Sequence, residues 1–495
     1  MNAALLIIVA TTLMALLLGL RAAQGRDMDL QQWSVGGRSF GTVFMFILLA
    51  GEIYTTFSFL GASGWAYGKG AGSYYLLAYQ VLAYILSYFL LPKIWRYAQG
   101  KSILSQPHYF GTRFDSPTLR LLVAAVGVIA LIPYLLLQFK GLGIIVSIAS
   151  YGAISSSSAI WCGAAVATLY VIVSGMHGVV WNAVVKDVLI LIVMLALGIY
   201  LPIHYYGNYE GMFNAIHAAR PQFLLLPQQG LSPLWFQSTV LLSAAGFFMW
   251  PHTFGCVLTA KNDQSFRRNA VILPLYSLLI LFALFVGFAA ILQVPGLSGA
   301  DADLALLKIS VQTFNPWIVG VIGAAGLLTA LVPSSLILTT AATIIANDIY
   351  RAGLARHASD ATTRQVARWS VPVIALITVA LSLSGGTTIV SLLLMGYNIV
   401  TQLFPALFFS LTFSRSAPHF VTRQGAFCGI LAGVMTVAFI TLTKSTIADL
   451  FPFLPSALND VNVGLVALIV NFITMALVSL ATRASHPAVS LTAKD

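Results

Sequence analysis

Residues 50–64 read Ala50-Gly51-Glu52-Ile53-Tyr54-Thr55-Thr56-Phe57-Ser58-Phe59-Leu60-Gly61-Ala62-Ser63-Gly64 and lie in the middle of a long apolar segment. A carboxylate, Glu52, is set there beside Gly51 and close to a run of small and hydroxyl residues. A span that could be a smooth apolar rod therefore carries its loosest backbone, and a charge, near membrane depth. Irregular backbone at that depth persists only where it lines a cavity or is buried in protein. An acid inside a membrane segment points to a functional site.

Composition sets the class around this stretch. Of 495 residues, 59% are hydrophobic and 8% are charged, where a soluble domain has about 25% charged residues. Apolar runs of 18 or more residues recur, each long enough to cross a hydrocarbon core of about 30 Å. The expected architecture is an all-α integral membrane protein of about thirteen transmembrane helices, with spans near 2–20, 41–66, 73–92, 121–149, 158–175, 182–203, 236–260, 271–294, 316–346, 369–384, 389–413, 425–443 and 461–482. Met1 to Leu20 has no basic residue ahead of its apolar run, which suits a retained first helix and not a cleaved signal. Cys162, Cys256 and Cys428 fall in apolar spans without motif spacing, so no disulfide framework or zinc site is indicated.

The net charge of +11 raises nucleic acid as a partner, and the placement of the charges removes it. With the N-terminus outside and the C-terminus inside, the basic residues crowd the inner loops and tail, and only Lys69, Arg220, Lys308 and Lys444 fall in outer segments. That asymmetry sets membrane orientation. The expected location is the plasma (inner) membrane, multi-pass, with the lipid bilayer as surroundings and no obligate protein partner.

The spans divide into blocks. Residues 1–40 hold the first helix and an inner loop, 41–203 five spans, 204–235 an outer loop, 236–413 five more spans, and 414–495 two helices and a short polar tail, expected to be disordered after Ala484. Two five-span blocks of opposite orientation are what an inverted repeat requires. The breaks match as well: Gly51-Glu52 interrupts the second span and Gly246 with Pro251 the seventh, each about ten residues into its block. Paired interruptions at corresponding positions mark a midplane binding site in secondary transporters. Outer loop 204–235 reads as a lid or solvated connector, and Asp301 and Asp303 in outer loop 295–315 read as a solvated face.

Four segments bring a family to view. Gly36 to Gly41 (GGRSFG) is similar to the GGRSLG entry of the first core helix of the sodium:solute symporters. Gly175 to Lys186 (GMHGVVWNAVVK) is similar to their G-G-x-x-A-V-x-W-T-D-x-x-Q segment, Gly246 to His252 (GFFMWPH) to G-Y-F-G-Q-P-H, and Asn347-Asp348-Ile349-Tyr350 to the T-x-D-L-Y terminus. Nearly the whole chain resembles that family, which implies a 5+5 inverted repeat of LeuT type. The opening stretch and the Pro133 to Gln138 run look most like the bacterial monocarboxylate permease branch.

The departures bear on the coupling ion. The resemblance implies a sodium ion held by two carbonyls of the first broken helix, at Glu52 and Thr55, and by a small residue and two hydroxyls at Thr329, Val332 and Pro333. Sodium wants oxygen ligands, and neither Val332 nor Pro333 has a side-chain oxygen; Ser334 or Ser335 would need a shifted register. The family aspartate maps to Ala183 and the glutamine to Lys186, with Asp187 beside it. Loss of hydroxyls and gain of a lysine suggest a proton in place of sodium, with Glu52 and Lys186 as a pair that binds and releases it. The alternative is that Lys186 snorkels to the inner face. Coupling to Na+ follows from the resemblance and coupling to H+ from these residues; no cofactor and no assigned metal ligands are expected.

Substrate candidates line the breaks and the helices facing them: Tyr54, Thr55, Thr56 and Phe57; Phe247, Phe248, Trp250 and His252; Tyr134 and Gln138; Asn398 and Gln402. Half-helix N-termini at such breaks favour anions, and the aromatics fit a small, partly apolar solute. The reading is cation-coupled symport of a small organic anion, a short monocarboxylate such as pyruvate, lactate or propionate, by alternating access. An amino acid or another small nutrient is the alternative solute. A membrane-embedded sensor is the alternative class, disfavoured because no soluble module follows Thr482. His177, His204 and His252 lack the spacing of a catalytic or metal cluster, so an enzyme is not expected.

Overall fold

The computed structural model describes residues 2–383, 387–412, 421–450, 452–453 and 455–483. Among these residues there is no strand, and helices follow one another in the order α1 (Ala3–Arg21), α2 (Leu30–Val35), α3 (Thr42–Gly51), α4 (Ala62–Lys69), α5 (Tyr75–Ala98), α6 (Gln106–Arg113), α7 (Pro117–Ala149), α8 (Ser156–Tyr206), α9 (Tyr209–Ala219), α10 (Pro233–Gly246) and α11 (Pro251–Thr259). The second half runs α12 (Gln264–Ser277), α13 (Ile280–Gln293), α14 (Ala305–Thr313), α15 (Pro316–Thr343), α16 (Asp360–Ser382), α17 (Ile389–Val400), α18 (Phe404–Thr412), α19 (Arg423–Thr443), α20 (Ile447–Leu450) and α21 (Val463–Thr482). Ten helical segments are long and apolar enough to cross a membrane, or 11 when the bent pair α10 and α11 counts as one span.

That number counts rods, and some rods bend. The 51 residues of α8 would reach roughly 77 Å at 1.5 Å per residue, far beyond one hydrocarbon core. At Gly175 the backbone leaves the helical region (φ 47°, ψ −131°), a positive φ that glycine adopts without strain. A side chain there would also strike the Trp33 carbonyl. Gly175 thus folds one apolar run into two limbs.

Helix starts are written locally. Ser105, Ser116, Ser155, Ser232 and Ser359 each accept from a backbone N–H in the first turn of α6, α7, α8, α10 and α16, satisfying donors that a helix end leaves open. At the centre stands α15, buried along almost its whole length. α1 lies against it through Gly320, which abuts Ala4, while Gly19 of α1 abuts Tyr170 of α8. The last pair, α19 and α21, meets through Gly425 and Gly429, packed on Ser479, Met475 and Asn471. Small residues that let backbones approach are the means of packing where lipid removes the hydrophobic drive.

Two loop expectations change. Residues 204–235 contain helix α9, whose Met212 and Ile216 are fully buried, so this connector is folded onto the bundle. Asp303 is not solvated: it is 0% exposed, and its Oδ2 accepts from the Ile389 N–H at 2.9 Å. The carboxylate caps the start of α17, a role that loop position alone does not reveal. The tail 484–495 and Arg415 lie outside the described residues.

Candidate functional site

The first break begins where α3 stops at Gly51. Ile53 and Tyr54 both turn their N–H groups back to the Ala50 carbonyl, at 2.9 and 3.4 Å, and regular helix resumes only after a π-turn over Phe57–Gly61. Hydroxyls take over lost backbone bonds: Thr55 Oγ1 accepts from the Phe57 N–H at 3.2 Å, and Ser58 donates to the Ile53 carbonyl. Two carbonyls stay free of the helix and point at one cation. Lys186 Nζ donates to Gly51 O at 2.7 Å and to Tyr54 O at 3.1 Å, and lies 3.1 Å from Asp187 Oδ1. The side chain of Lys186 is completely buried, so it does not snorkel. The carbonyls that turn inward belong to Gly51 and Tyr54, one residue ahead of the expected Glu52 and Thr55.

The second break mirrors the first. α10 ends at Gly246, a tight turn covers Phe247–Met249, and α11 starts at Pro251 after Trp250 (φ −58°, ψ 127°). The two limbs are bent by 48°. Proline at a helix's first position forfeits no bond, because that N–H has no partner within the helix. Gln106 Nε2 fastens the turn by donating to Met249 O at 2.8 Å. Across the gap, Glu52 Oε2 lies 2.7 Å from His252 Nε2 and accepts from Thr253 Oγ1 at 3.3 Å. The carboxylate of one broken helix thus sits against the first turn of the other, where the helix dipole favours negative charge. Glu52 lies against His252 and not Lys186, so the expected pair resolves into two separate contacts, Glu52 with His252 and Lys186 with Asp187.

Aromatic rings pack beside these contacts. Tyr134 of α7 packs on Trp250 and His252, with centroids 4.8 and 4.9 Å apart. Trp250 meets Tyr397 of α17 at 5.3 Å, and Tyr397 meets Tyr79 of α5 at 5.6 Å. Phe247 packs on Tyr84 at 5.4 Å, and Phe248 on Tyr84 at 6.1 Å. Gln138 Oε1 accepts from the Thr56 N–H at 3.3 Å, joining α7 to the first break. Two glycines make room: Gly141 for the Thr56 side chain and Gly396 for the Trp250 ring.

Thr55, Thr56, Tyr134, Gln138, Phe247, Trp250, His252 and Glu52 therefore converge, with Phe57 buried in the adjoining π-turn. Others point elsewhere. Tyr54 packs its ring on Tyr276 of α12 at 5.2 Å. Gln402 donates to Gly464 O at 3.1 Å and accepts at its carbonyl from Asn471 at 2.7 Å, and Asn398 abuts Gly464; both face α21. Tyr397, one residue before Asn398, is the residue of α17 that reaches the aromatic wall. Thr329, Ser334 and Ser335 donate to carbonyls of their own helix at Gly326, Ala330 and Leu331. Tyr79, Tyr84 and Tyr397 were absent from the sequence reading; the Tyr75, Tyr79, Gln80, Tyr84 face at helical spacing was the available signal. Among the described residues no three His, Cys, Asp or Glu side chains group to hold a metal ion.

One end of the bundle is tied by Asp348. Its Oδ1 accepts from Arg120 Nε at 2.6 Å and its Oδ2 from Ser105 Oγ at 2.5 Å. Arg120 Nη2 also donates to Asn347 O at 3.1 Å. This joins α6, the start of α7 and the helical extension of α15 over Ile344–Leu354. Phe40 and Ala260 add a short parallel bridge between the flanks of the two broken helices, Phe40 N–H donating to Thr259 O at 3.2 Å and Lys261 N–H to Phe40 O at 2.9 Å.

The model of the sodium:solute symporter family matches residues 33–433. The chain belongs to that family. It is similar to the uncharacterized symporter YhjB of Bacillus subtilis, at 58% identity over 99% of both chains. The monocarboxylate transport permease protein of Rhizobium johnstonii is 29% identical over 68% of each chain. A Na+-coupled sialic acid symporter, solved in a substrate-bound outward-open state, superposes with a TM-score of 0.77 at 16% identity, covering 99% of this chain and 100% of that one. This sodium:solute symporter thus has the LeuT-like fold of a transporter, not an enzyme, and is a multi-pass membrane protein.

Proposed function

We propose that this symporter carries a short monocarboxylate, of the size of lactate, pyruvate or propionate, across the plasma membrane by alternating access, and that protons drive it. In this reading thirteen spans run with the N-terminus outside and the C-terminus inside, 41–203 and 236–413 being the two inverted repeats. The observation that carries the ion assignment is the Lys186 ammonium on Gly51 O and Tyr54 O. A hard cation would need those same carbonyl oxygens, and the protein places its own amine there, beside Asp187.

The solute assignment rests on the other face of the same turn. His252 and the first turn of α11 offer a carboxylate a polar partner and a favourable dipole, while the packed rings of Tyr134, Trp250 and Tyr397 offer a short apolar tail an aromatic surface. The similarity to a monocarboxylate permease supports the same class. The test is uptake of radiolabelled lactate, pyruvate and propionate into proteoliposomes under an inward proton gradient or an inward sodium gradient. Accumulation under the proton gradient alone is expected. Accumulation that requires sodium would overturn the ion assignment, and no accumulation of any of the three acids would overturn the solute assignment.

A further inference from the structure

Glu52 holds the place where a substrate carboxylate is expected. Its Oε2 is 2.7 Å from His252 Nε2 and receives the Thr253 hydroxyl, so an anion already occupies the head of α11. His252 is simultaneously part of the aromatic wall, its ring 4.9 Å from that of Tyr134. A solute that packs its tail on Tyr134 and Trp250 brings its carboxylate to the same imidazole. Two carboxylates that share one site in low dielectric do not both stay ionised.

Among the described residues, those facing Glu52 offer no second counter-charge. Glu52 is faced by His252 and Cys256 of α11, Tyr84 of α5, Tyr134 of α7, and Lys186 and Asp187 of α8. Phenols and thiols carry no charge near neutral pH. Lys186 is spent on two carbonyls and on Asp187, and Asp187 adds repulsion. An entering carboxylate can therefore take His252 only when Glu52 has given up its own charge.

We propose that Glu52 carries the co-transported proton by competing with the substrate carboxylate for His252. The inference rests on the monocarboxylate reading and assigns the proton to a residue. A proton from the outer solution goes to Glu52 Oε2, the neutral acid releases His252, and the substrate carboxylate takes its place. On the inner side the substrate leaves, the proton passes from Glu52 to the solution, and Glu52 returns to His252. One anion and one proton move together, the charge beside His252 is the same at each stage, and Lys186 keeps its contacts with Gly51 O, Tyr54 O and Asp187. Transport is then electroneutral.

The test begins with the wild-type protein in detergent, weakly buffered at neutral pH with an indicator dye. Lactate binding is expected to take up about one proton per lactate bound, and uptake into liposomes is expected to ignore an imposed membrane potential. Binding without proton uptake, or uptake driven by potential, overturns the proposal while leaving the monocarboxylate reading intact. No binding of lactate, pyruvate or propionate overturns both. Glu52→Gln is expected to bind lactate without taking up a proton and to lose proton-driven accumulation; a Glu52→Gln protein that still concentrates lactate under a proton gradient sinks the assignment. The wild-type measurement decides the matter even where that variant fails to fold.

Discussion

Lys186 reaches across from α8 to the carbonyl of Gly51 at 2.7 Å, and a Cβ at Gly51 would come within 3.1 Å of the same ammonium nitrogen. The glycine leaves the ammonium room to lie against the backbone. Replacing Lys186 by alanine would strip Gly51 O, Tyr54 O and Asp187 of their shared partner in a fully buried place. Removing one member of a buried ion pair costs about 3–5 kcal/mol, so Lys186→Ala should lower the melting temperature sharply. The emptied carbonyl pair and Asp187 form an oxygen-rich hollow, so sodium chloride should raise that variant's melting temperature more than choline chloride does. Equal melting in the two salts would mean that the hollow collapses.

Gly396 gives Trp250 its place on the wall, since a Cβ there would collide with the far edge of the indole. Gly396→Ala should push the ring toward Tyr134 and into the space for the solute. Overpacking of this kind costs about 1–3 kcal/mol. The measurable result is a rise in the KM for uptake of roughly ten-fold, with the position of the proton dependence unchanged. An unaltered KM would remove Trp250 from the solute's path.

The buried Asp348 depends on Arg120 for both charge and geometry, because the guanidinium bonds its carboxylate and the Asn347 carbonyl together. Arg120→Ala should destabilise the protein by about 3–5 kcal/mol. Arg120→Lys should recover only part of this, since an ammonium offers no planar fork. Thermal unfolding of the two variants checks both statements, and a lysine variant as stable as wild type would show that the fork is idle.

The two breaks were legible in the sequence because glycine and proline punctuate otherwise apolar runs: Gly51 and Gly246 fall where helices stop and Pro251 where the next one starts. The membrane class was legible from charge content for the same physical reason. What sequence could not convey was direction. Asn398 and Tyr397 are neighbours, yet one residue turns by about 100° on a helix, and that rotation sends Asn398 to α21 and Tyr397 to Trp250. Glu52 and Lys186 were both visible as buried charges in the same region, but which of His252, Asp187 and the free carbonyls each would meet depends on the bend at Trp250. Asp303 was hidden by its loop position.

Asp303 makes the last prediction. Burial raises its carboxyl to about 6 from the usual 3.8, against the opposing pull of the Ile389 N–H and of Lys140. A carboxyl raised in the folded state binds its proton more tightly there than in the unfolded chain. Its cost is therefore absent below pH 4 and grows as pH rises through about 6, by an amount on the order of 2–3 kcal/mol. Asp303→Asn keeps an oxygen to accept from Ile389 and removes the charge. The variant should be more stable than wild type at pH 7.5, with the difference vanishing near pH 4. Asp303→Ala removes the acceptor too, leaving the Ile389 N–H without its partner while Thr388 still caps α17, and should be less stable than Asp303→Asn at every pH. Melting curves of the three proteins between pH 4 and 8 decide it: an asparagine variant that loses stability at pH 7.5 would mean that the charge itself, through Lys140, holds loop 295–315 against α17.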